Sequence, residues 1–209
     1  MTRFYINDRE IAPPVDASSL HQILKYVENS HLPPNSVVRQ IQLDGIPLIP
    51  DDFVGDRSEM LDRISGRDRV DIFTGTITEI AHDSIAEALA YLDRIETAIP
   101  SLATSFRISP GPEAFENLKQ LYEGFYWLNL LLDKLETSFQ LQMKDVLIQG
   151  VPAPEYHQKF ISILKQLIES QEKGDFVLIA DLLEYEILPL VPAWREMFGI
   201  TSKKMGVTQ

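Results

Sequence analysis

The apolar residues of this chain change their period near Thr78. Before it, short apolar runs alternate with turn residues; after it, apolar positions recur every third or fourth residue over long stretches, the signature of helices that bury one face. The clearest case is 174–198. Phe176, Ala180, Leu183, Ile187, Leu190 and Trp194 form one stripe, and Ile179 and Leu182 widen it. Asp175 stands where a helix N-cap belongs and Gly174 where the preceding helix stops. Pro189 and Pro192 each remove a backbone donor, so the pattern predicts a kink or restart near Leu188 that aims Trp194 and Phe198 at a different neighbour from Phe176.

Three helices are predicted ahead of it. The first covers 79–106, with Ile85, Leu89, Leu92 and Ile99 inward and a bend at Pro100. Ser109-Pro110-Gly111-Pro112 is turn chemistry. A long helix then starts at Glu113 and holds its period through Phe115, Leu118, Leu121, Tyr122, Phe125, Leu128, Leu132, Leu135 and Phe139, reaching about Ile148 before Gly150 to Pro154 stops it. Phe160, Ile163, Leu164, Leu167 and Ile168 belong to the next helix, closed by Lys173-Gly174. Short Gly/Pro connections between long helices predict an antiparallel four-helix bundle over 78–199, with 200–209 as a flexible tail.

Residues 1–77 read as a small mixed unit. Phe4, Ile6 and Ile11 flank Asn7-Asp8, a hairpin turn; Ser18 or Ser19 caps a helix carrying Leu20, Ile23, Leu24 and Val27, which ends before Pro33-Pro34. Val37, Val38, Ile41 and Leu43 make a strand that turns at Asp44-Gly45 into Ile46, Leu48 and Ile49, where Pro47 argues for a sheet edge. A short helical turn at 58–64 precedes a last strand at 69–74. The fold class is therefore α+β. This succession resembles the β-grasp fold of ubiquitin and its relatives over residues 1–75, and Ser65 to Ile72 is similar to the first part of the ending of the small sulfur carriers. In that family, carrier chemistry needs a free C-terminal Gly-Gly. Here Thr74-Gly75-Thr76 runs into a helix, so the expectation is a docking or spacing domain.

Composition narrows the chemistry. The chain is 44% hydrophobic and 24% charged with net charge −12, ordinary for a globular protein. Acid exceeds base in both parts, 12 against 8 before Thr78 and 19 against 11 from there on, so no basic stripe suggests nucleic acid. There is no cysteine, hence no disulfide, thiolate nucleophile or iron–sulfur ligand. No apolar stretch reaches membrane-span length and the first residues read as a strand, which predicts a cytoplasmic protein without a membrane partner.

Candidate sites are few. Glu28/His31 and Glu79/His82 have the Glu-x-x-His spacing of bundle di-iron sites, but the first pair lies outside the bundle, so no metal or other cofactor is expected. Asp181 and Glu184 share a face opposite the apolar stripe, where solvation makes carboxylates poor general acids. No nucleophile elbow, dinucleotide fingerprint or phosphate loop is present, so no catalytic residue is assigned and the chain is read as a non-enzyme. The residues expected to meet a partner are Tyr122, Tyr126, Trp127, Tyr185, Trp194 and Phe198. The stretch Leu167 to Trp194 is similar to the last helices of flagellar export chaperones: a Lys173-Gly174-Asp175 turn precedes Ile179-Ala180-Asp181-Leu182-Leu183-Glu184-Tyr185 and then Trp194. That resemblance implies a bacterial adaptor that cradles an apolar helix of a protein partner. Alternatives are a structural homodimer through the Tyr126/Trp127 face and, behind it, a carboxylate enzyme or metal protein.

Overall fold

The computed structural model describes residues 2–12, 19–48 and 66–207. The fold is α+β, an N-terminal sheet followed by a helical region, and the chain divides into two compact units, Met1–Ile80 and Ala81–Gln209.

In the first unit β1 (Arg3–Ile6) and β2 (Arg9–Ile11) are joined by Asn7 and Asp8, both left-handed (φ 45° and 65°), as a tight hairpin requires. Helix α1 (Leu20–Ser30) starts at Ser19, whose Oγ accepts the Gln22 N–H at 3.2 Å. Asp44 and Gly45 (φ 52° and 82°) turn β3 (Ser36–Leu43) into β4 (Ile46–Pro47), and β5 (Arg69–Thr76) completes the sheet. The strand order is β2-β1-β5-β3-β4, with β1 and β5 parallel and the other pairs antiparallel. Pro47 sits on an edge strand, where its missing donor costs no ladder bond. Phe4, Ile6, Ile41, Leu43, Val70 and Ile72 form a common core with Leu20, Ile23 and Val27 of α1. The helical turn expected at 58–64, and Ile49 in the return strand, lie outside the described residues.

Helix α2 (Ile77–Ile108) opens with a reciprocal cap. Glu79 Oε2 accepts the Thr76 N–H at 2.8 Å while Thr76 Oγ1 accepts the Glu79 N–H at 3.1 Å. From Ala81 onward the helix belongs to the second unit, and it runs through Pro100 without interruption. Helix α3 (Pro112–Phe139) ends well short of Ile148: Gln140 turns left-handed, and the chain continues as a 3₁₀ turn (Met143–Asp145) and a hairpin of β6 (Leu147–Ile148) and β7 (Val151–Pro152) around Gln149-Gly150. Helix α4 (Ala153–Lys173) stops at left-handed Gly174. Helix α5 (Phe176–Asp181) is capped by Asp175, whose Oδ1 accepts the Leu178 N–H at 3.0 Å. Among the described residues the second unit thus holds five helices and a hairpin in place of four uninterrupted helices.

The expected restart near Leu188 takes a different form. A π-helical segment (Leu182–Ile187) and a 3₁₀ turn (Leu188–Leu190) link α5 to α6 (Val191–Val207), and Leu182, Leu188 and Val191 all keep right-handed helical geometry. In a regular α-helix Pro189 would leave the Tyr185 carbonyl without its donor and press its ring against it. The wider turn, in which the Leu188 N–H reaches back five residues to Leu183 O, relieves that crowding before the proline is met. Residues 200–207, expected within a flexible tail, instead continue α6, with Thr201 and Met205 buried. No helix among the described residues is long and apolar enough to cross a membrane.

Candidate functional site

The core of the helical unit has two aromatic foci. Phe106, Phe115 and Phe176 meet with centroids 5.4 to 6.1 Å apart. Trp194 gathers Phe125, Phe160 and Phe198 at 5.6 to 6.4 Å, so Phe176 and Trp194 do serve different neighbours. Trp194 is 2% exposed and Phe198 is fully buried, which removes both from the set of residues offered to a partner. The stripe that carries them faces the core because α6 follows the π-helical segment in continuous register rather than swinging outward.

The other four expected contact residues are more accessible. Tyr126 is 71% exposed and Tyr185 62%. Tyr122 is half-buried; its hydroxyl has no protein partner, and burial pushes its pKa up to about 12. Trp127 is half-buried with its edge against Tyr91, centroids 6.0 Å apart. Tyr185 lies 5.6 Å from the Arg107 guanidinium, so part of its face is used within the molecule.

Arg107 also answers the two carboxylates read as a solvated pair. It donates to Asp181 Oδ1 at 2.8 Å and to Glu184 Oε2, and these hydrogen bonds hold its own guanidinium more firmly protonated than usual. Arg195 plays a similar part, donating to Asp93 and Glu96 at 2.7 and 2.8 Å and tying α6 to α2. Asp181 and Glu184 therefore share a face as expected and stay partly exposed, and a cation from the end of α2 pairs with both. Glu79 is occupied in the helix cap, where the Thr76 backbone N–H lowers its pKa first of all, and His82 Nδ1 lies 3.3 Å from Ser202 Oγ. Among the described residues no group of three or more acidic or histidine side chains is arranged to hold a metal.

A concave feature of this unit runs between α2 and α3. Two cavities, of about 300 and 450 Å³, share Ser101, Leu102 and Asn117 and so form one groove from Tyr91 to Ile108. At 1.5 Å per residue that is roughly 25 Å of helix. Its floor is the outer edge of the core at Ile95, Leu102, Ala114 and Leu121, while Arg94, Asn117 and Gln120 form a polar rim. Ser101, Thr104 and Ser105 donate to carbonyls of their own helix, which leaves their walls low and largely self-satisfied. One end is closed by Tyr91, which lies across α3 at Gly124: a Cβ there would stand 1.6 Å from the tyrosine oxygen. The other end opens beside Ile108, 80% exposed. Sequence reasoning missed this groove, although a glycine in the middle of a long helix was a signal that a neighbour approaches closely.

A family model described as a domain of unknown function (DUF8042) matches residues 83–197, more than half of the chain, and the chain belongs to that family. An uncharacterized protein of Treponema pallidum (strain Nichols) is 33% identical over 90 residues, which are 43% of this chain and 40% of that protein, so the chain spans about two fifths of its relative. No solved structure matches.

Proposed function

We propose that this DUF8042 protein is a non-enzymatic adaptor that receives an amphipathic helix of a protein partner in the groove between α2 and α3. The observation that carries the reading is the groove itself: long enough for about four helical turns, apolar along its Ile95, Ile99 and Leu121 half and more polar towards Ser105 and Glu113. The excess of acid over base from Thr78 onward, 19 to 11, favours a helix with a basic outer face. Asp181 and Glu184 are held by Arg107, which supports a structural use of those carboxylates over acid–base chemistry. The likeness of 167–194 to flagellar export chaperones agrees in kind, since those proteins cradle a client helix. For the first unit we infer a β-grasp domain used for docking or spacing, supported by a sheet in which the first and last strands pair in parallel at its centre. The finer description of the second unit as a bundle, and a cytoplasmic setting, belong to the same proposal.

Calorimetric titration of the full chain with a synthetic Leu/Ala–Lys amphipathic helix tests it. Saturable binding at about 1–10 μM, lost when Ser101→Trp fills the groove wall, is the expected result. Absence of heat at these concentrations, or equal binding by S101W, overturns it. A second reading, a homodimer through α3, rests on Tyr126 and Leu130, both exposed and one turn apart. Light scattering on the free protein decides that alternative, and a monomer at high concentration removes it.

A further inference from the structure

A second concavity lies away from the groove, where α3, the 3₁₀ turn, the start of α4 and α6 meet. Its volume is about 270 Å³. That is just below the roughly 300 Å³ at which pockets for drug-sized ligands begin, a size that suits a single side chain. Leu132, Met143 and Met197 supply apolar wall, and Met143 and Met197 are buried. One side is different. Asn129, Asp133 and Glu136 follow one another along α3, and all three line the cleft. The Asn129 side-chain N–H donates to Phe125 O at 2.8 Å, yet its buried Oδ1 has no partner. Neither Asp133 nor Glu136 forms an ion pair among the described residues, although Lys144 and His157 stand in the same wall. Every residue of the cleft falls within the matched family region.

We infer that this cleft binds an alkylammonium group, with the charged head between Asn129 Oδ1, Asp133 and Glu136 and the aliphatic stem against Leu132, Met143 and Met197. The chemistry is that of a free diamine or of a lysine side chain presented by a partner. A neutral ligand takes no attraction from the two carboxylates, and an anion meets them at close range. A cation satisfies the carboxylates and the orphaned amide oxygen together.

Glu136 makes the inference testable apart from folding. Burial raises its pKa, the Asp133 charge raises it further, and the Met143 backbone N–H and His157 offset this only in part. A carboxyl group with a raised folded-state pKa favours the fold below its unfolded pKa, and that contribution is lost as pH rises through the folded value. Once ionised, the group is thus a burden on the cleft. Binding of a cation should release that burden, so affinity rises with pH as Glu136 loses its proton.

The experiment is titration of the full chain, by chemical shift or heat, with 1,5-diaminopentane and with Nα-acetyl-lysine N-methylamide, using 1-pentanol as the uncharged control. The inference expects saturable binding of at least one amine near about 1 mM, at least about tenfold weaker binding by Glu136→Gln, and no binding of the alcohol. Preference for the lysine analogue identifies a partner side chain as the source; preference for the diamine identifies a free amine. E136Q should unfold at a temperature no lower than the parent, which separates lost binding from lost structure. No saturation by either amine up to about 50 mM, or undiminished binding by E136Q, overturns the inference. Because the amine cleft and the α2–α3 groove share no residue, S101W should leave amine binding unchanged.

Discussion

Replacing Gly124 by alanine tests the close approach of Tyr91 on α2 to α3. An alanine Cβ would sit 1.6 Å from the Tyr91 oxygen, 2.0 Å from Cζ and 2.4 Å from Cε1, so the rigid ring must leave its seat. Leaving costs Tyr91 its hydrogen bond to Gln120 O and its edge contact with Trp127. Those are worth about 0.5–1 kcal/mol each, and the repacking of a half-buried ring adds roughly 1–2 more. Against this, alanine is the better helix former by about 1 kcal/mol. The steric side wins, with a net destabilisation of about 1–3 kcal/mol. Urea unfolding followed by tryptophan fluorescence is the right assay, because both tryptophans, Trp127 and Trp194, belong to the helical unit. With a slope of about 2 kcal/mol per molar, the midpoint should fall by roughly 0.5–1.5 M. The decisive control is Tyr91→Ala. In that background G124A meets no ring, and its sign should reverse to a stabilisation of about 0.5–1 kcal/mol. If G124A alone stabilises the protein, or the double-mutant cycle shows no coupling, the account of this helix contact is wrong.

Trp194 and Met205 supply two further tests. Trp194→Ala should cost about 3–5 kcal/mol, since it empties the centre of an aromatic cluster, whereas Trp194→Phe should cost less than about 1.5 because the indole N–H it removes is buried without a partner. Thermal unfolding by circular dichroism separates them, and equal losses would mean that the N–H has a role the packing does not show. Met205→Ala should cost about 2–4 kcal/mol in a urea titration if the last turns of α6 are core; a value near zero would restore the flexible tail.

What the sequence made legible was local. Asn7-Asp8 and Asp44-Gly45 announce hairpins because the backbone geometry is written into the two turn residues themselves, and Ser19 and Asp175 announce helix starts for the same reason. Gln149-Gly150 adopts the same left-handed pair, φ 51° and 83°, yet it lies among Pro152 and Pro154 and read as a simple helix stop. Both interpretations satisfy the local chemistry. Only the pairing of Leu147 with Pro152 and of Ile148 with Val151, which turns Ile148 into the core, distinguishes them. The end of α3 was hidden similarly: Leu141, Val146 and Ile148 prolong an apolar pattern past Phe139 although Gln140 has already left the helix.

Pro189 shows where sequence reasoning reaches its limit. The missing donor and the ring clash are certain from the residue alone, but whether the chain breaks or widens depends on what each outcome does to distant contacts. A break near Leu188 frees Trp194 from Phe125 and Phe160, contacts that span 69 and 34 residues of sequence. Each such aromatic pair is worth about 0.5–1.5 kcal/mol beyond its burial. A π-helical segment keeps them and loses only part of one turn's regular hydrogen bonding. The same non-locality governs Asp181 and Glu184. A helical projection places them correctly on one face, but it cannot supply Arg107, more than 70 residues earlier, which turns an acidic surface into an interhelical clamp.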